Sequence, residues 1–184
     1  MLSLTTERLV LRPHVEANFE CLHAWRNNSE LQRLSSESLT SYSEEQTHAT
    51  LARWMRLDRD DIVHLAIHLS ASDEFIGFLH IAQIEAEHQR CKIGIVIGDK
   101  RHWGRGYGSE GIACAVQYCF SQWPINRISA ETYAINPGSA RMLEKVGFVR
   151  EGVLRESVLK GGQFVDEYLY GLLRADWAAR NAGL

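Results

Sequence analysis

Ile93-Gly94-Ile95-Val96-Ile97-Gly98-Asp99-Lys100-Arg101-His102-Trp103-Gly104-Arg105-Gly106-Tyr107-Gly108-Ser109-Glu110-Gly111 joins an apolar run to a helix-like one through a loop of glycines and cations. Glycines let the backbone turn its N–H groups inward and approach a ligand closely. The start of a helix adds unpaired N–H groups and a partial positive charge. Lys100, Arg101 and Arg105 stand beside that turn. Together these features suit a phosphate-bearing ligand, although the loop alone also reads as a surface turn with charges for solubility.

Two phosphate motifs bear on this stretch. A P-loop is excluded because no Gly-Lys-Ser/Thr occurs. The dinucleotide fingerprint GxGxxG is formally present from Gly106 to Gly111, with Glu131 20 residues further on, where a ribose-binding acid would stand. The context is wrong for it. Seven residues, Asp99 to Arg105, separate Gly106 from its strand, and the 73 residues after Gly111 are too few for a doubly wound sheet. A nucleotide-dependent oxidoreductase is therefore a distant alternative.

Beyond the loop, Ile112, Ala115, Val116, Cys119 and Phe120 recur at helical spacing. Arg127 to Ala134 reads as a strand. Asn136-Pro137 then supplies an N-cap with proline in the first turn, Met142, Leu143 and Val146 a buried stripe, and Gly147 a stop. Residues 148–173 read as two strands around Gly161-Gly162, followed by a short helix. Upstream, Leu9 to Leu11 reads as a strand, Phe19, Leu22 and Trp25 as a helix, and Ser43 to Leu57 as a helix capped by Ser43. Ile62 to Leu69 alternates as a strand, which puts His64 and His68 roughly 13 Å apart and argues against a shared metal. Phe75 to Ile84 and Ile93 to Gly98 complete an antiparallel meander, turning at Glu85 to Arg90. The order predicts an α+β fold with a β-loop-α-β-α-β unit in its second half.

At 184 residues, 45% hydrophobic and 23% charged, with no low-complexity linker, the chain is expected to be one domain, 1–184. A net charge of −3 argues against a nucleic-acid binder, so an anionic ligand must be met locally. Cys21, Cys91, Cys114 and Cys119 show no CxxC spacing and are expected as free thiols. No apolar run is long enough to span a membrane, and the expectation is a cytoplasmic protein with no metal.

What fits the loop is Arg101-x-x-Gly104-x-Gly106, and here the sequence resembles the GCN5-related N-acetyltransferase family, in particular its RimJ/RimL-like ribosomal-protein-alanine branch. The resemblance runs from Thr6-Glu7-Arg8-Leu9-Val10-Leu11-Arg12-Pro13 through the loop to Asn136-x-x-Ser139. It continues through Glu144-Lys145-Val146-Gly147-Phe148, Glu151-Gly152 and Asp166-x-x-Leu169-Tyr170. It implies a mixed, mostly antiparallel sheet of about seven strands flanked by helices and splayed between its fourth and fifth strands. It also implies acetyl-CoA as cosubstrate, a primary amine as acceptor, and a monomer or homodimer. The acceptor would be a protein N-terminus or a small molecule such as a polyamine, amino sugar, antibiotic or amino acid. By resemblance the donor would be held by Ile95, Val96 and Ile97, by Arg101, His102, Trp103, Gly104, Arg105, Gly106, Tyr107, Gly108 and Ser109, and by Asn136 and Ser139.

Acetyl transfer to an amine requires a proton acceptor, an oxyanion site and a proton for the departing thiolate. Backbone N–H groups near Val96 are expected to serve the oxyanion, and the Ser139 hydroxyl the thiolate. Relatives commonly carry an acid just before the Ile-Gly of the fourth strand and a tyrosine on the second helix; Lys92 and Leu143 stand there instead. The base is therefore sought first at Glu85 and second at Glu131, with Glu87, His88, His80 and Tyr133 behind them. The acceptor pocket is expected from Asn27–Ser43 and Gly152–Phe164, which show no acidic cluster for a polycation. A CoA-binding module with impaired catalysis is the alternative from another class.

Overall fold

The computed structural model describes residues 2–35, 39–56 and 61–182. The strands are β1 (Leu4–Thr5), β2 (Leu9–Arg12), β3 (Ile62–Leu69), β4 (Phe75–Glu85), β5 (Arg90–Ile97), β6 (Arg127–Tyr133), β7 (Val149–Lys160) and β8 (Gln163–Leu173). The helices are α1 (Phe19–Arg26), α2 (Ser29–Ser35), α3 (Glu44–Trp54), α4 (Tyr107–Gln122), α5 (Pro137–Val146) and α6 (Arg174–Asn181). The strands form one sheet in the order β1-β2-β3-β4-β5-β6-β8-β7. Every neighbouring pair is antiparallel except β5 and β6. The sheet has eight strands rather than about seven because Leu4 and Thr5 pair with Leu11 and Val10, a two-residue strand too short to leave a period.

The α+β reading is met closely. Ile62–Leu69 forms a strand to the residue, and Ser43 caps α3 by accepting from the Gln46 N–H at 3.2 Å. Leu57, the expected end of that helix, lies outside the described residues. Ile112, Ala115, Val116, Cys119 and Phe120 are all buried on one face of α4, against the strands that carry Leu9, Leu11, Ile67, Ile93 and Ile128. Burial of side chains of this kind is worth roughly 1.5–3 kcal/mol each. β5 begins at Arg90 rather than Ile93: Arg90 pairs with Glu85 and Lys92 with Ala82 across a bulge, and the polar ends had disguised a strand whose other face buries Cys91 and Ile93. The sequence pattern missed α2, a seven-residue helix with only Leu31 and Gln32 buried.

The parallel pair is the important departure. β5 meets β6 at only three positions, Arg90 with Arg127, Cys91 with Ile128 and Lys92 with Ser129. Beyond Lys92 the strands part, at the place expected between the fourth and fifth strands. The four cysteines are free. No helix among the described residues is long and apolar enough to cross a membrane.

Candidate active site

The parting exposes one backbone edge of β5. The Gly98 N–H donates to the Ile76 carbonyl (2.9 Å), while the Gln89 carbonyl accepts from Asn126 (2.7 Å) and Arg127 (3.1 Å). Alternate residues of a strand send their backbone groups the same way. Lys92, Gly94, Val96 and Gly98 therefore face β4, and Ile93, Ile95 and Ile97 face the gap. The Ile97 carbonyl is taken by the Trp103 indole N–H at 2.7 Å, which leaves the edge around Ile95 free of a partner strand. In the stretch near Val96, the backbone groups that face the gap are therefore those of Ile95 and Ile97. Val96 instead turns its side chain to the other face of the sheet.

The gap encloses about 270 Å³ between β5, β6 and α5, lined among others by Gly94, Ile95, Thr132, Asn136, Ser139 and Met142. Asn136 Oδ1 caps α5 by accepting from the Ser139 N–H (3.1 Å), and its Nδ2 donates to the Leu34 carbonyl at the end of α2 (3.2 Å). Both ends of the amide are thus engaged within the protein, where resemblance had aimed it at the pantetheine. The Ser139 hydroxyl has no hydrogen-bond partner among the described residues and lines the gap. Leu143, at the place of the family tyrosine, is buried.

At the mouth of the gap the glycine loop enters α4. Gly104 and Gly106 adopt φ of 70° and 85°, a region open to glycine, and Gly106 is the N-cap of α4 without a capping side chain. The first N–H groups of the helix are accordingly free to meet an anion. Gly108 has a different reason: a Cβ there would lie 2.7 Å from Met142 Sδ, so it lets α4 and α5 approach. Of the three loop cations, two stand in surface ion pairs. Lys100 pairs with Glu30, and Arg101 with Asp99 (2.7 Å) and Glu74 (3.4 Å). His102 is buried with Nε2 3.2 Å from Glu74. Arg105 is exposed and has no ion pair among the described residues. Its carbonyl is held by Arg8 Nη1 at 3.0 Å. Arg8 and Thr6 also bind Glu110: burial pushes that carboxyl up, but these hydrogen bonds overcome it and hold the pKa below the usual range. The opening Thr6-Glu7-Arg8 string thereby braces the helix start.

A second cavity, about 620 Å³, lies on the face of the sheet toward which Val96 points. α1, α2 and α3 wall it with Trp25, Leu31, Gln32, Tyr42 and Trp54, and β3 and β4 floor it with Ile62, His64 and Phe78. Of the segment 27–43, Leu31, Gln32, Ser35 and Tyr42 line this cavity, and residues 36–38 lie outside the described residues. No residue of 152–164 lines either cavity. The β7–β8 hairpin joins the sheet at β6 through β8, whose Glu167 lines the gap.

The two cavities share three residues, Ser35, His80 and Val96. His80 on β4 pairs with Gly94 on β5, and its imidazole occupies the space that a side chain at Gly94 would fill. Burial, with the charge of Lys92 adding to it, lowers the His80 pKa to about 4, so the ring is neutral at pH 7. Both carboxylates ranked ahead of it are engaged by cations. Glu85 forms a two-pronged ion pair with Arg90 (2.8 and 3.0 Å) and lines neither cavity. Glu131 lines the gap with Oε2 2.6 Å from Lys92 Nζ. Nothing in the spacing of the sequence marked His80; the signal was a histidine opposite a strand glycine, legible only once the register is known.

Comparison with known proteins agrees with this geometry. The family model described as "Acetyltransferase (GNAT) domain" matches residues 8–149. The uncharacterized N-acetyltransferase YoaA of Bacillus subtilis is 31% identical over 93% of this chain and 96% of its own. The ribosomal protein uS5-alanine N-acetyltransferase of Escherichia coli is 31% identical over 56% of this chain and 54% of its own, a partial match that does not establish the branch. Among solved structures, spermidine N-acetyltransferase of Vibrio cholerae with CoA and spermine superposes with a TM-score of 0.83 over 94% of this chain and 99% of that one, at 20% identity, a likeness of fold. The opened parallel pair, the glycine loop at its mouth and the match over residues 8–149 identify the chain as an N-acetyltransferase of the GNAT family.

Proposed function

We propose that the gap between β5 and β6 receives acetyl-CoA, that the aromatic cavity receives a primary amine, and that the acetyl group passes directly between them. The observation that carries this reading is that the two cavities meet at His80, Val96 and Ser35. The residues present fit the donor. The free edge of β5 around Ile95 suits a pantetheine arm, which pairs with strand backbone. The N–H groups at the start of α4, with Arg105, suit a pyrophosphate. Bound there, acetyl-CoA supplies the activated acetyl group.

The remaining steps belong to the protein. An alkyl ammonium of pKa near 10.4 must give up a proton before it attacks. That first proton goes to solvent; His80, neutral and without a hydrogen bond among the described residues, accepts the proton the nitrogen sheds as the C–N bond forms, directly or through a water. Glu131 is second, since its oxygen is already held by Lys92. An unpaired N–H on the β5 edge meets the developing oxyanion, the Ser139 hydroxyl donates a hydrogen bond to the departing thiolate, and the proton that the nitrogen has shed protonates it, leaving Ser139 unchanged. Cys114 and Cys119 carry no acetyl group, because burial pushes the Cys114 thiol up and the contact with Cys91, with burial, pushes Cys119 further.

The acceptor is a protein N-terminus or a small-molecule amine, in a cytoplasmic monomer or homodimer. A thiol-release assay with acetyl-CoA and an amine panel tests the reading. CoA and acetylated amine should appear in equal amounts. Acetyl-CoA binding without turnover on any amine would leave a CoA-binding module, and NAD binding more tightly than acetyl-CoA would revive the oxidoreductase. A competent acetyl-Cys114 or acetyl-Cys119 would overturn direct transfer.

A further inference from the structure

The aromatic cavity presents cations and, among its described lining residues, no carboxylate. Arg26 is a fixed charge in its wall: the guanidinium lies 3.8 Å above the Tyr42 ring, and Nη1 donates to the Gln46 carbonyl (3.2 Å) and the Thr50 hydroxyl (2.7 Å). Arg53 stands at the rim, three residues along α3 from Thr50 and so on the same helical face. It is exposed, and its side chain makes no ion pair or hydrogen bond among the described residues. The walls between them are flat and apolar. Trp54 lies 4.9 Å from His64 and 4.8 Å from Phe78, and Trp25 joins them from α1. A cavity of about 620 Å³ is in the range that encloses a small organic molecule.

These features select by charge. A second ammonium, as in a polyamine, would meet two guanidinium groups and no compensating carboxylate among the described lining residues. An anionic group would meet a planar fork of donors already matched to it. We infer that the acceptor is a primary amine that also carries a carboxylate on an apolar or aromatic body. The aromatic walls hold the body, Arg53 with Arg26 holds the carboxylate, and the amine is left toward His80. This rests on the acetyl-transfer reading and narrows its acceptor.

The test uses the full chain and CoA release. Phenylalanine and 4-(aminomethyl)benzoate are compared with phenethylamine and benzylamine, their counterparts without a carboxylate. Spermidine and two short alanine-initiated peptides, one acidic and one neutral at the second position, complete the panel. At least one carboxylate-bearing amine should exceed its neutral counterpart by about tenfold or more in kcat/KM, the ratio one charge-assisted contact supplies, with spermidine behind both. A lead for the free amine or for the acidic peptide supports the inference and says which source supplies the carboxylate. Arg53→Gln should shrink the preference mainly through KM, and Arg53→Glu should turn the ranking toward spermidine. Arg53 is exposed, so both variants should fold, which their Tm checks. Equal turnover of neutral, polycationic and carboxylate-bearing amines, or a ranking untouched by Arg53→Glu, overturns this inference alone. No CoA release with any amine overturns the transfer reading itself.

Discussion

Gly94→Ala offers a direct probe of the junction between the two cavities. A Cβ at position 94 would stand 2.4 Å from His80 Cε1 and 2.6 Å from Nε2, where ordinary contact begins near 3.4 Å. The imidazole must therefore retreat by about 1 Å, since the obstructing methyl is fixed to the strand backbone. A displacement of that size in a reacting group costs about 100-fold, and loss of a general base costs about 100-fold to 10,000-fold. Gly94→Ala should thus lower kcat/KM by about 100-fold, and His80→Ala by at least as much. The double variant has no ring left to displace, so Gly94→Ala should then cost less than about threefold. The coupling corresponds to about 2.1–2.7 kcal/mol. Overpacking adds a stability loss of roughly 1–3 kcal/mol, so CoA release is measured well below each variant's Tm. A full 100-fold loss from Gly94→Ala in the His80→Ala background would mean that Gly94 acts for the donor and not through His80. Wild-type kcat/KM in His80→Ala would refute the assignment outright.

Three further outcomes follow from the same geometry. Glu85→Gln should keep kcat/KM within about twofold and stability within about 1 kcal/mol, because its partner Arg90 and its own side chain are both solvent-accessible; a lost acid limb in the pH–rate profile would restore Glu85 as the base. Asn136→Ala removes the cap on the Ser139 N–H and the bond to Leu34, and a fall of about 1–2 kcal/mol in unfolding free energy should be visible in urea titrations. His14 and His80 both have folded-state pKa values lowered by burial from 6.5 to about 4. The unfolded chain binds their protons first, so stability present above pH 6.5 should be lost as the pH falls toward 4. Urea midpoints at pH 7, 5.5 and 4.5 check the direction, and His14→Leu should flatten the slope.

How much was legible depended on the range of the interaction. Periodicity located β3, α4 and α5, because each buries a stripe or a face defined by neighbours a few residues apart. The glycine loop was legible because backbone chirality restricts what can replace Gly104 and Gly106. The state of its cations was not. Lys100 is paired with Glu30 and Arg101 partly with Glu74, partners that only the folded chain brings near. His80 ranked low for the same reason, since its importance lies in a cross-strand register with Gly94. That β8 lies beside β6 and brings Glu167 to the gap was not legible either, because sheet order is set by long-range pairing.

The pairing of Lys100 and Arg101 has a consequence for how the donor is held. With those charges committed internally, attraction for a pyrophosphate falls to oriented peptide dipoles and the lone guanidinium of Arg105. Few mobile counterions would be released when the anion arrives, so the association constant should vary only gently with added salt. Dipoles fixed by a helix start are also direction-selective in a way that flexible ammonium groups are not. On the proposed reading, the loop should discriminate by the shape of the anion more than by its charge, and a dense polyphosphate should gain little over one correctly bent.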